Sequence, residues 1–316
     1  MLHHERNAVN SIGNEQRTSM GENTGSEQKK GTNELIERVN DIRKNSKRKD
    51  RGSVESFQMV QLPLWDERVR GLPNALARSA LFTSANRKEK RLNHVKHPIA
   101  AVGGVEISYT GMELRQDDLD VFLQVVHLAR NQPLGEMIQF SGYSLLKALG
   151  WSPTKANYER LRQCIDRMSA TTIHVSFREG SRVLNYGGSL FRKFTWDADA
   201  LSGMSQQWKI WLEKEIITLF GDSSYTQIVW SQRLSLPPLA KWLHQFYFTH
   251  KVPFGYRVEV IHTLCASRIP VLAQFRAKLR ASLEILVRIG FLESYHIDKR
   301  TDVVTVRRTE KKELAA

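Results

Sequence analysis

Hydrophobic and polar positions divide the chain near residue 60. Only 14 of residues 1–60 are apolar, against 41% of the whole chain, and Asn, Ser, Glu, Lys and Gly fill the stretch. So little apolar surface cannot offset the entropy of ordering a chain, and residues 1–58 are expected to be a disordered basic tail. Within it Leu35, Ile36, Val39 and Ile42 allow a short transient helix over 33–42, ahead of the basic run Lys47, Arg48, Lys49 and Arg51. From Val95 the pattern becomes periodic. Leu119, Phe122, Leu123, Val126 and Ala129 recur at helical spacing and predict a helix over 117–130. A short strand over 137–140 follows, then a helix capped by Ser141 and ended by Gly150. The pair Ser152-Pro153 is expected to open a long helix reaching about residue 169, with Pro in its first turn. Alternating segments over 171–178, 183–196 (interrupted by Gly187-Gly188) and 208–212 predict strands.

A similar succession begins again with a helix over 238–249, rich in Trp242, Leu243, Phe246 and Tyr247. It continues with a strand over 255–258, a helix over 259–266 and a longer helix over 270–289 stopped by Gly290. Strands over 291–297 and 303–308, joined by a polar turn, close it. Helix, short strand, helix, long helix and hairpin is the order of a winged helix. Its recurrence predicts an α+β chain of two tandem winged-helix (helix-turn-helix) domains, 95–222 and 223–316, after a linker over 59–94.

The two long helices differ in what they offer a duplex. Over 270–289, Leu272, Phe275, Leu279, Leu283 and Leu286 form one apolar stripe, which leaves Gln274, Ala277, Lys278, Arg280, Ala281 and Arg288 on the opposite arc and Arg276 on its flank. Long donors mixed with small residues suit a helix lying deep in a major groove, where Arg or Lys pairs with guanine and Gln with adenine. Over 154–169, Lys155, Arg160, Arg162, Gln163 and Arg167 are offset by Glu159 and Asp166. That helix is expected to touch phosphates or another protein, with base reading concentrated in the second domain. Arg192 and Lys193, and Arg307 and Arg308, are candidate wing residues for the DNA backbone.

Charge supports this division. The chain carries 47 Lys and Arg against 33 Asp and Glu, a net +14, which points to a polyanionic partner. Residues 223–316 hold 15 basic and 7 acidic groups, whereas residues 96–222 are neutral with 14 of each. No apolar run approaches the roughly 18 to 20 residues that cross a bilayer, and the first residues lack the apolar core of a signal peptide. A cytoplasmic protein is expected.

Catalytic patterns are missing, and no enzyme activity and no cofactor are expected. There is no P-loop sequence. His94 and His97 could place two ligands on a helix face, without an evident third. Cys164 and Cys265 fall beside core positions and are expected to be buried small hydrophobes.

One apolar pentapeptide, Gln61-Leu62-Pro63-Leu64-Trp65, sits in an otherwise polar stretch. A Q-L-x-L-aromatic peptide is the kind of segment that docks into the apolar cleft of a bacterial sliding clamp, with Leu64 and Trp65 as anchors, Leu62 beside them and Gln61 at the rim. The alternative is that it packs on the protein's own first domain. The strings Leu72-Pro73-Asn74, Ala77-Arg78-Ser79-Ala80-Leu81-Phe82-Thr83, Tyr109-Thr110-Gly111, Glu113-Leu114-Arg115 and Leu149-Gly150-Trp151 resemble the TrfA family of plasmid replication initiators, from about Gln61 onward. The resemblance implies an iteron-binding Rep protein with two winged helices. Its implied partners are double-stranded origin DNA, single-stranded AT-rich DNA once the origin opens, the sliding clamp, the host initiator and the replicative helicase, with a monomer–dimer equilibrium. It also implies the clamp peptide at Gln61–Trp65. A plasmid-encoded transcriptional repressor built from the same domains is the alternative.

Overall fold

In the computed structural model, residues 60–198, 205–221 and 224–309 are described. The expected tail, its transient helix and its basic run lie outside them. Of the two units into which the chain divides, the second spans 59–316.

Segments the sequence assigned to a linker are built into the core. Strand β1 (Val69–Pro73), buried along its whole length, runs into a one-turn helix α1 (Asn74–Ala77) and then β2 (Phe82–Thr83). β1 pairs antiparallel with a strand that lies far along the chain, β11 (Tyr225–Val229), with Val69 opposite Val229 and Pro73 opposite Tyr225. The linker boundaries 59–94 are corrected accordingly, because Leu72, Leu76, Leu81 and Phe82 are core residues rather than spacers. Strand β3 (Asn93–Ile99) and β4 (Glu106–Met112) form a hairpin, and β5 (Leu114–Arg115) pairs in parallel with β2. His94 and His97 therefore stand on a strand, not a helix; a bulge between them lets their rings stack at 4.8 Å. Among the described residues no group of three or more His, Cys, Asp or Glu could hold a metal.

The first succession then proceeds as α2 (Gln116–Ala129), β6 (Met137–Ser141), α3 (Gly142–Ala148) and α4 (Lys155–Ser169). Ser141 caps α3 by accepting from Ser144 N. The cap of α4 is Thr154, whose hydroxyl accepts from Asn157 N, so Pro153 precedes the helix instead of lying in its first turn. Strands β7 (Thr172–Glu179) and β8 (Arg182–Gly188) do not belong to this succession's hairpin. They pair with β3 and β4 into a four-stranded sheet ordered β3-β4-β7-β8. The hairpin is β9 (Lys193–Ala198) with β10 (Ser205–Trp211), in a sheet ordered β6-β10-β9.

A 3-10 helix (Lys214–Phe220), β11 and a short α5 (Trp230–Leu234) lead to the second succession. It comprises α6 (Pro238–Phe248), β12 (Tyr256–Arg257), α7 (Val258–Leu264), α8 (Leu272–Arg288), β13 (Leu292–Ile297) and β14 (Val303–Arg308). Its sheet order, β12-β14-β13, repeats that of the first: the strand after the first helix pairs with the last strand of the hairpin. The chain is thus mixed α+β. Among the described residues no helix is long and apolar enough to cross a membrane.

Ionic side chains on three helices join the two successions. Arg233 of α5, wholly buried, donates from Nε to Asp120 Oδ1 of α2 (2.7 Å), from Nη2 to Gln116 Oε1 (2.9 Å) and from Nη1 to Gln245 Oε1 of α6 (3.1 Å). Lys241 of α6 completes the cluster on Asp120 Oδ2.

On the inner side of α6, His244 packs against Phe248 and Phe291, and among the described residues neither ring nitrogen has a hydrogen-bond partner. Burial pushes its imidazole down to about 3 from an ordinary 6.5. Between those values the unfolded chain holds the extra proton, so stability is full above about pH 6.5 and declines as pH falls towards 3. We expect the thermal midpoint to drop on acidification from pH 7 to 4, and His244→Phe to flatten that dependence. An equally steep profile in the variant would assign the effect to other groups.

Candidate nucleic-acid interface

Helix α8 is placed by its apolar side. Phe275, Leu279, Leu283 and Leu286 are fully buried, and Gly290, at φ 73°, ends the helix in the left-handed conformation that lacks a Cβ penalty. With that stripe fixed, Gln274, Ala277, Lys278, Arg280, Ala281 and Arg288 all face outward and are exposed. Among the described residues Lys278, Arg280 and Arg288 make no ion pair, and the exposed Glu284, which accepts from the Tyr295 hydroxyl at 2.6 Å, stands four residues from both arginines, so the arc carries three cations, one carboxylate, one amide and two small residues. Arg276 is different. Its guanidinium forks onto Asp302, Nε to Oδ1 at 2.8 Å and Nη2 to Oδ2 at 2.7 Å, and holds that carboxyl below the usual carboxylate range. Asp302 lies in the β13–β14 turn at φ 56° and its carbonyl accepts from Val258 N. Arg276 therefore ties α8 to the hairpin instead of lying free on the flank.

At the hairpin tip Asp298 accepts from Arg300 N and Thr301 N, folding a tight turn that leaves Lys299 and Arg300 exposed. In the sequence this pair lies within a polar connection between two strands. Arg307 faces Glu293 across the hairpin at 2.8 Å, both well exposed, an ion pair of little net strength that a phosphate can replace. Arg308 is withdrawn from the interface: its Nη1 donates to Phe248 O (3.2 Å) and His250 O (2.8 Å) while the guanidinium lies over Phe248 and Phe291. It satisfies the carbonyls that end α6, a structural duty in place of the wing role expected of it.

The outward side of α4 is largely neutralised from within. Lys155 is exposed, but Arg160 stacks 3.6 Å above the Trp151 ring and contacts Asp117, and Arg162 forks onto Glu159 with both bonds at 3.0 Å. Arg167 binds the fully buried Asp118 at 2.7 Å, beside Arg91 at the same distance, so it is a core ion pair and not a phosphate contact. Of the first hairpin's candidates, Lys193 lies over the Trp211 ring and Arg192 stands 3.9 Å from Glu213. Both cysteines are buried as expected, and burial raises both thiols.

The pentapeptide also packs inward. Leu62 and Trp65 are 2% and 6% exposed. Trp65 stacks on Phe220 and presses on Gly71, where a Cβ would stand 2.7 Å from the indole. Its Nε1 donates to His127 Nδ1 at 3.0 Å; the same imidazole, driven down to about 4 by burial, is neutral and donates from Nε2 to Glu67 at 2.8 Å. Gln61 Nε2 donates to Arg130 O at 3.0 Å, and Arg130 Nε donates to Trp65 O at 3.1 Å. Leu64, at 69%, is displayed, and Gln61 is exposed as well. Trp65 and Leu62 thus cover the protein's own first succession, the alternative that the sequence left open.

The family description "TrfA protein" matches residues 27–308. The plasmid replication initiator protein TrfA of Escherichia coli is 31% identical over 255 residues, which are 80% of this chain and 65% of that protein, just under two thirds of its length. A crystal structure of domains 2 and 3 of RctB superimposes with a TM-score of 0.53 at 14% identity, covering 76% of this chain and 99% of that one, a likeness of fold. The chain belongs to the TrfA family.

Proposed function

We propose that this chain initiates plasmid replication by binding repeated sequences in origin DNA, with its two successions acting as winged helices. The winged-helix reading is supported by the sheet order that recurs in β6-β10-β9 and β12-β14-β13. The observation that carries the DNA reading is the outer arc of α8, on which Gln274, Lys278, Arg280 and Arg288 stand exposed, with the Arg276–Asp302 pair joining that helix to the turn that displays Lys299 and Arg300. The first winged helix, whose α4 cations are internally paired, contributes Lys155 and Arg162 to phosphates at most and serves mainly as a platform for self-association. The sliding clamp, host initiator and replicative helicase are the partners this role requires, and the protein acts without covalent chemistry. Melting a stacked step costs roughly 1.4 kcal/mol, so opening draws on several protomers bound to adjacent repeats.

Clamp docking through Gln61–Trp65 requires the peptide to leave the core, since Trp65 and Leu62 are occupied. Footprinting on an origin with repeats, joined to a plasmid-maintenance assay, tests the whole reading. Protection of the repeats with maintenance is expected; protection without maintenance would favour the repressor, and no protection would end both. Arg280→Ala and Gln274→Ala should each weaken repeat binding by about 1 to 3 kcal/mol and relax specificity. Equal binding by both variants would move the reading helix elsewhere.

A further inference from the structure

Residues 86–91, which precede β3, form a turn to which neither the sequence reading nor the family membership gives a role. It is rigidly built. Glu89 N donates to Asn86 O at 3.1 Å, Lys88 N to Asn86 Oδ1 at 3.1 Å, and Asn86 N to Glu89 Oε1 at 3.1 Å. From beneath, Arg115, 2% exposed, donates to Asn86 O (2.5 Å) and Lys90 O (3.2 Å). Arg268, in the connection between α7 and α8, reaches across to the same Lys90 O at 2.6 Å. Ser84, just before the turn, is held by Cys265 O through both its amide and its hydroxyl, each at 3.0 Å. The turn is therefore clasped by both successions.

Its apex displays Arg87, Lys88 and Lys90, all exposed and, among the described residues, without an ion pair. Arg87 and Arg91 border a depression with Ala156, Asn157, Arg160 and Gln163 of α4, and Glu89 borders another with Lys278 of α8. The turn thus stands between the outward side of α4 and the outer arc of α8. The carboxylate among them, Glu89, is turned onto Asn86 N and stands 3.9 Å from Arg268, which leaves the three cations in excess, and no apolar side chain lies among them to favour a protein partner. A polyanion balances that excess, and cations on an already ordered backbone lose little entropy when they meet it.

We infer that the turn over 86–91 is a separate contact site for duplex DNA, in which Arg87, Lys88 and Lys90 grip the phosphate backbone between the segments facing the two long helices. This rests on the DNA-binding reading above and adds a sequence-independent element to it. The test uses the full chain and its Arg87→Gln, Lys88→Gln, Lys90→Gln triple variant. Binding is measured against salt on a duplex carrying the repeat, an unrelated duplex of equal length and a single strand. Each phosphate contact contributes roughly 0.9 to the slope of log K on log salt, so the triple variant should lower the slope by roughly 2 to 3 on both duplexes. The preference for the repeat and the thermal midpoint should stay unchanged. Lys88→Gln alone should lower the slope by roughly 0.9, which guards against a folding defect in the triple variant. An unaltered slope, or a loss confined to the single strand, would overturn the site while leaving the α8 reading intact. Failure of the unmodified chain to bind any duplex would overturn the DNA-binding reading and the site with it.

Discussion

Asp120→Asn should cost about 3 to 5 kcal/mol of folding stability, because it strips the carboxylate from a guanidinium that has no access to water. Arg233 would keep its hydrogen bonds to Gln116 and Gln245 but lose its counter-charge at 2.7 Å. Lys241, partly exposed, can turn its ammonium to solvent; Arg233 cannot. The check is a urea titration of the variant beside the double exchange Asp120→Leu, Arg233→Met, which removes both charges. The double variant should be the more stable of the two. If Asp120→Asn were the milder, the cluster's role would be packing and not charge balance. Since the partners sit on α2, α5 and α6, the loss should appear in one cooperative transition, not as melting of one succession before the other.

Trp65→Ala is the second large effect, about 3 to 5 kcal/mol, the usual consequence of emptying a buried aromatic site. The indole fills the space over Gly71 and Phe220, and its loss leaves His127 Nδ1 without a donor. Trp65→Phe should recover most of the packing but not the hydrogen bond. Leu64→Ala, at an exposed position, should leave the unfolding midpoint within experimental error. A clamp pull-down with the same three variants separates packing from docking. If Leu64→Ala abolishes capture while stability holds, the exposed Leu64 is a clamp anchor. If capture persists in Leu64→Ala and Trp65→Ala alike, another segment makes the contact.

The second succession was legible nearly residue by residue, because its signals are local. Phe275, Leu279, Leu283 and Leu286 declare one face of a helix, Gly290 ends it, and Val303–Arg308 appears with the bounds the alternation predicted. The four-stranded sheet was not legible, for a physical reason: β3 is polar and mostly exposed along Asn93–Ile99, and its sheet is completed by β7 and β8, separated from it by three helices. β1 carries no alternation at all, being buried on both sides, and its Gly71 and Pro73 imitate a linker. The apolar stripe of α8 also put Gln274, Lys278, Arg280 and Arg288 on its outer arc, where they are exposed. The sequence could not foretell that Arg276, Arg308 and Arg167 are spent internally, since Asp302, the α6 carbonyls and Asp118 lie far away in sequence. The pentapeptide's apolar character was visible; its cover was not, though His127 and Arg130, one turn apart on a buried helix, were the groups waiting for it.

The pairing of β1 with β11 has a temporal side. During synthesis Val69–Pro73 emerges well before Tyr225–Val229, its sole ladder partner among the described residues. At roughly 5 to 20 residues per second the interval is on the order of ten seconds. For that time a strand with apolar side chains and unmatched amides stands open to other nascent chains. A ribosome stalled or a gene cut between the two halves would release a fragment with a sticky edge, so the second half of the message acts as the chaperone of the first.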